Sequence, residues 1–333
     1  MTLPSGLTAG FDLDIGRWRC ERIANIAEIS REEWLSLRRQ GIGGSDAAAI
    51  CGQNPWRSPL AVYADKKALI PDEADNDSFL FGRRMERPLR QWFAEDFAAQ
   101  EDKAIVVEEH PFMYRSKQWP WMIGNIDGLV QPKDEIEGGL ELKARDRFMA
   151  KHYADDSVMD SDYAQVQHYM ALTGLTYFYV VILLGKKLIW RRVIRNEKYI
   201  EWLVEAEQRF WTDYVLTGQA PAPIGLDSDD DVLKALYGIE EEREVMLDEL
   251  RTQVESYVAA NEQEKVLAKE KQRLRQLVES RMGTAKYAIA GDHKITWSRF
   301  EMRRMDIDRL RKDDPELAAR YTKAIPSSRF SVR

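Results

Sequence analysis

The stretch "WPWMIGNIDGLVQPKDEIEGGLELKARDRF", residues 119–148, places one acid, Asp127, at the end of an apolar run, then Glu141 and Lys143 two residues apart in another. Side chains on a strand alternate between faces, so Glu141 and Lys143 project together while Leu140 and Leu142 point into the opposite layer. Asp127, at the end of the neighbouring strand, reaches the same point. Two carboxylates converging on one spot repel each other unless a cation lies between them, and hard oxygen ligands select Mg²⁺, with Mn²⁺ as a substitute. A lysine beside them is a poor ligand, but it orients or helps deprotonate water and offsets charge on a phosphorane-like transition state. Such a set suits phosphodiester hydrolysis. Taken alone, the pattern is loose, and the plain alternative is a β-hairpin with "DG" at its turn and an exposed Glu/Lys pair.

The surrounding sequence adds to the acidic strands. "SREEWLSLRRQ" reads as a helix with a capping box, Ser30 followed by Glu33, which breaks at the glycine-rich "GIGGSDAAAICG" and resumes in "PLAVYADKKALI". "NDSFLFGRRMERPLRQWFAEDFAAQ" reads as a long amphipathic helix with Phe81, Met85, Leu89, Trp92 and Phe93 on one side. It carries Glu86, either a third carboxylate for the same cation or a surface partner of Arg83 or Arg90. "AIVVEEHPFMY", "WMIGNIDGLV" and "LELKAR" look like successive strands of one sheet. A helix, "SDYAQVQHYMALTG", follows, then two strands paired through Gly185-Lys186 and a closing helix, "EKYIEWLVEAEQRFWTDYVLTG". Helices, a mixed sheet and helices again make an α/β domain. Gln165 and Tyr169 lie at i and i+4 on one helix face, as part of the site or as a partly buried polar seam. His168, between them, reads as a helix-surface histidine. Trp119 and Trp121 suit either stacking on bases or packing at the core rim.

The chain has 333 residues, 44% of them hydrophobic, enough for one large domain plus an appendage. Its N-terminus lacks a basic region followed by an apolar core, and no apolar run approaches the roughly 20 residues that span a bilayer, so the expected location is the cytoplasm, with no membrane partner. Cys20 and Cys51 sit in no metal-binding pattern and read as buried thiols. The net charge of −7 conceals an uneven distribution: residues 226–268 hold 4 Lys and Arg against 13 Asp and Glu, and residues 269–333 hold 17 against 9. "QAPAPIGLDSDDD" reads as a linker. The expected division is therefore 1–222 and 223–333, the second part an acidic helical hairpin or coiled coil, bent near Asn261 to Lys265, followed by a basic segment.

In this order the residues resemble the phage lambda-type exonuclease, or YqaJ-like viral recombinase, family of the PD-(D/E)XK nuclease superfamily, over roughly residues 28–215. The most specific element is "LRRQGIGGSDAAAICGQNPWRSPLAVYADK": an Arg, a glycine-rich turn, a Ser, then a small-residue helix. "FGRRMERPLRQWF", "GNIDGLV", "LELKA" and "AQVQHYM" resemble the later motifs. The resemblance implies a restriction-endonuclease-like core, with Glu86, Asp127, Glu141 and the Leu142 carbonyl as metal ligands. It makes Lys143 the catalytic lysine, and Gln165 with Tyr169 the brace of the site. Arg38 with Ser45 would hold a 5′-terminal phosphate, with Arg39 an adjacent alternative. It further implies a 5′-to-3′ exonuclease acting on double-stranded DNA ends in recombination, a single-strand annealing protein as partner, and a trimeric ring. An endonuclease or nickase of the same fold is the alternative reading, and a catalytically inactive DNA-binding or assembly protein a further one. Compact members of the family end soon after the helix closing near Tyr214, whereas this chain continues to residue 333, which leaves the ring open to question.

Overall fold

A computed structural model describes residues 18–72, 76–153, 155–238, 243–323 and 329–332, so the expected absence of a leader falls in residues 1–17, outside the described residues. The chain forms two compact units, Met1–Gly238 and Ile239–Arg333. In the first, β1 (Cys20–Asn25) leads to α1 (Arg31–Arg39), which starts with the expected capping box between Ser30 and Glu33. In α2 (Gly44–Ile50) the start is closed by the Asp46 carboxylate, which accepts the Gly43 N–H at 2.9 Å. Ser58 caps α3 (Pro59–Lys66), with Pro59 preset for the first turn, and Asn76 caps α4 (Asp77–Glu101). Strands β2 (Ile105–Glu108), β3 (Phe112–Ser116), β4 (Ile123–Asn125), β5 (Gly128–Pro132) and β6 (Gly138–Arg145) follow. Then come α5 (Asp160–Thr173), β7 (Tyr177–Leu184), β8 (Lys187–Ile194), α6 (Glu197–Phe210) and α7 (Asp227–Tyr237).

A five-stranded sheet in the order β2-β5-β6-β7-β8 forms the centre. Only β6 and β7 run parallel within it, so the sheet is mixed. An inner strand shows why both faces are covered. In β7, Tyr177, Tyr179, Val181 and Leu183 join Leu89, Phe93 and Phe97 of α4 in one core, while Phe178, Val180 and Ile182 join Val166, Met170 and Leu172 of α5 in another. The period of two serves two layers at once. The expected α/β core, a mixed sheet flanked by helices, is thus present.

Several expectations need correction. The three strand segments do not share one sheet: β1, β3 and β4 form a separate three-stranded sheet, and the chain changes sheets at Glu109–Pro111 and again at Ile126–Asp127. On α4, Leu89 and Phe93 are buried as expected, but Phe81 and Trp92 are exposed. The first unit extends beyond residue 222, because Asp229 accepts the N–H groups of Ile224, Gly225 and Leu226 and Val232 is buried beside Leu60 and Phe210. The acids of the stretch expected as a linker therefore belong to the first turn of α7, with Asp229 closing its start.

In the second unit a single helix, α8 (Arg251–Met282), runs through the place where a bend was expected. Residues 251–282 contain neither Gly nor Pro, and Glu262 pairs with Lys265 at 2.7 Å across the place where the apolar spacing falters. The strands β9 (Tyr287–Ala290) and β10 (His293–Thr296) pair around Gly291-Asp292 as expected, followed by α9 (Ile307–Asp313) and α10 (Pro315–Arg320). Among the described residues, no helix is long and apolar enough to cross a membrane.

Candidate active site

Strand β5 pairs with β6 only from Gly128↔Leu140 to Val130↔Gly138, so the second half of β6 leaves its edge on that side unpaired. Asp127 fills the vacated place: its Oδ2 accepts the Leu142 N–H at 2.8 Å. A residue's N–H and C=O point to the same strand edge, so the Leu142 carbonyl faces this side too. Arg90 of α4 fixes the turn by donating to the Asp127 carbonyl at 2.8 Å. On the face of β6 toward α5, Lys143 Nζ lies 2.7 Å from both Glu141 Oε1 and Gln165 Oε1, and Gln165 Nε2 donates to Glu141 Oε1 at 2.8 Å and meets the Tyr169 hydroxyl at 3.1 Å. Alternation in the strand and the i, i+4 spacing in the helix thus bring Asp127, Glu141, Lys143, Gln165 and Tyr169 together.

Burial pushes the Glu141 carboxyl above the ordinary range and the nearby Asp127 charge pushes it further, while Lys143 opposes both. Burial likewise raises Asp127, against the pull of the Leu142 N–H and Lys143. Lys143 is buried as well, but the charges of Glu141 and Asp162 outweigh that penalty and hold it protonated. The donor set fits a hard divalent cation: Glu141 Oε2 is buried without a hydrogen-bond partner, which is costly unless something else satisfies it. Glu86 approaches from α4, close enough for its charge to act on Asp127, and its carboxylate lies 3.9 Å from the Arg90 guanidinium. Among the described residues, no three His, Cys, Asp or Glu side chains are gathered tightly enough to hold an ion.

The glycine-rich segment borders this centre. Gly44 lies so close to α5 that a Cβ there would stand 2.6 Å from the Tyr169 ring. Next to it, Arg38 Nη2 donates to Ser45 Oγ at 2.7 Å. Arg39 turns away, to the Asp65 carbonyl at 3.0 Å and to the Asp72 carboxylate. Sequence reasoning missed Asp46, a buried carboxylate that gathers Lys66 at 2.6 Å, Arg57 at 2.6 Å and Arg38 at 3.6 Å and is held far below the usual carboxylate range by these cations despite its burial. It also missed Asp162, buried beneath Arg145 at 2.9 Å, Tyr153 at 2.8 Å and Lys143 at 3.9 Å. Neither has a local signal, because their partners lie on other elements. His168 is fully buried rather than at a helix surface, joined to Glu207 at 2.8 Å and to the Ile123 carbonyl at 2.9 Å. Trp119 and Trp121 pack against the core.

Residues 33–176, which contain every group just described as meeting at the site, match the family model of the YqaJ-like viral recombinase domain. The similarity to one relative runs well past it: the chain is 29% identical over 322 residues to the uncharacterized protein YqaJ of Bacillus subtilis (strain 168), covering 95% of this chain and 98% of that one. Among solved structures, an alkaline exonuclease (LHK-Exo) from Laribacter hongkongensis superposes with a TM-score of 0.44 at 15% identity, covering 56% of this chain and 94% of that one. A phage-related exonuclease from Haemophilus somnus 129PT gives 0.34 at 12% identity, covering 56% and 99%. The matched segment ends at the junction of α5 and β7, so β7, β8, α6 and α7 lie outside it while still belonging to the first compact unit.

Proposed function

We propose that this chain is a Mg²⁺-dependent deoxyribonuclease of recombination that hydrolyses double-stranded DNA from its ends, in the 5′-to-3′ direction. The observation that carries the reading is the buried, unpartnered Oε2 of Glu141 beside Asp127 and a protonated Lys143. Asp127, Glu141 and the Leu142 carbonyl would hold the ion, with Glu86 swinging in from α4. When bound, Mg²⁺ supplies charge neutralisation at the phosphoryl group and lowers the pKa of water. Lys143 offsets the negative charge that grows on the phosphoryl oxygens. Gln165 holds Lys143 and Glu141 in register through its two amide atoms, and Tyr169 holds Gln165. Arg38 and Ser45 present one guanidinium and one hydroxyl to a terminal 5′-phosphate, which fixes the chain end so that the scissile bond meets the ion. The exposed strand would pass to a single-strand annealing protein, and a trimeric ring would keep the enzyme on its track.

End-labelled linear duplex and closed circular duplex, each with Mg²⁺ and with EDTA, test the proposal. Linear DNA is digested only with Mg²⁺, and circles persist. Equal digestion of circles assigns the centre to an endonuclease or nickase, and binding of DNA without hydrolysis under any divalent ion assigns the chain to an inactive binding protein.

A further inference from the structure

Trp56 is 53% exposed, on a loop that is otherwise firmly built. Asn54 Oδ1 accepts the N–H groups of Trp56 at 2.9 Å and Arg57 at 3.1 Å, Pro55 and Pro59 restrict the backbone on either side, and the Arg57 guanidinium is locked between Asp46 at 2.6 Å and Asp65 at 2.8 Å. A large indole more than half exposed on a braced backbone contributes little to the fold, since much of its apolar area stays wet.

Its surroundings show what it faces. The Arg145 guanidinium lies 5.9 Å from the Trp56 ring centroid. Arg145 follows Lys143 by two positions on the same face of β6, and Asp162 lies 2.9 Å from Arg145 and 3.9 Å from Lys143. On the other side, Asp46 joins Arg57, the residue after Trp56, to Arg38, at 2.6 and 3.6 Å. Trp56 is therefore tied through one buried acid to the candidate phosphate site and through another to the candidate catalytic lysine.

We propose that Trp56 is a stacking platform for the terminal nucleobase of the strand presented to Asp127, Glu141 and Lys143, with Arg145 beside that nucleotide's phosphate. This rests on the nuclease reading and adds to it a binding surface for one unpaired base. A base hangs one sugar away from its phosphate, which is the separation an aromatic ring beside a phosphate site serves, and stacking accepts any base because every base offers a π face.

Wild type, Trp56→Ala and Trp56→Phe are compared on two 5′-phosphorylated duplexes that differ only at one end nucleotide, natural or abasic. Binding is read by fluorescence anisotropy in EDTA, and hydrolysis in Mg²⁺. Wild type should prefer the natural end roughly 10-fold in both readouts. Trp56→Ala should bind both ends at the wild-type abasic level and lose the preference, while Trp56→Phe keeps most of it. A Trp56→Ala protein that retains the wild-type preference, or a wild type with none, overturns the proposal. The underlying reading fails separately: a wild type that hydrolyses neither duplex under any divalent ion removes the nuclease assignment, while the EDTA binding comparison still decides the role of Trp56.

Discussion

At the residue scale, the centre is a short list of side chains with separable duties. Lys143→Ala should lower the Mg²⁺-supported rate on linear duplex by roughly 10²–10³-fold, the scale for removing one preorganised group that answers transition-state charge. A rate within a factor of about two of wild type would remove Lys143 from the chemistry. Arg38 and Arg39 are neighbours with opposite fates, one directed to Ser45 and the other to Asp65 and Asp72. Arg38→Ala should slow digestion of 5′-phosphorylated ends by roughly 10- to 100-fold and erase most of any preference over 5′-hydroxyl ends, as expected for one charge-assisted contact. Arg39→Ala should leave that ratio intact, and parallel rates on the two kinds of end check both variants. Asp46→Asn is a different experiment, because it leaves Lys66, Arg57 and Arg38 around an uncharged centre; urea melts should show a loss of about 3–5 kcal/mol.

At the element scale, what could be read in advance was what is local. Strand alternation aligns Glu141 with Lys143, and one helical turn aligns Gln165 with Tyr169, so no knowledge of the rest of the chain was needed to group them. Which sheet β3 joins was not local: only Glu109, His110 and Pro111 separate it from β2, yet the chain crosses from one sheet to another at His110, whose imidazole meets the Tyr114 hydroxyl at 2.5 Å and lies beside Trp18. β1 was equally hidden, since Glu21 and Arg22 give Cys20–Asn25 no apolar alternation and only pairing with β3 makes it a strand. The crossover carries a pH dependence of its own. Burial, helped by Arg22, lowers the His110 pKa to about 4. Between pH 6.5 and 4 the unfolded chain therefore takes up a proton that the folded one refuses, so stability is full above the unfolded value and falls with pH across this window, by about 3 kcal/mol at its end. His110→Gln should flatten that slope in chemical melts, and an unchanged slope would assign the acid sensitivity elsewhere.

At the scale of the whole molecule, the first unit is longer than composition implies, because a run of aspartates resembles a tether until one of them, Asp229, is seen to close a turn and Val232 to enter a core. A chain ending at residue 238 should melt like the first unit of the full protein, whereas one ending at 222 should be less stable by about 2–4 kcal/mol, the scale of uncovering a few apolar side chains, as urea midpoints would show. The same global readout reaches the active centre through the fork in the central sheet where β5 parts from β6. Two acids pressed together there, one with a buried oxygen that has no hydrogen-bond partner, make the fork a weak point of the fold. A cation bound there should strengthen the entire fold. Mg²⁺ at about 100 times its dissociation constant would add about 2.7 kcal/mol, and a Glu141→Gln chain, already relieved of the repulsion, should melt higher on its own and respond less. Catalytic competence would then be visible as heat resistance, in a melting curve recorded before any nucleic acid is added.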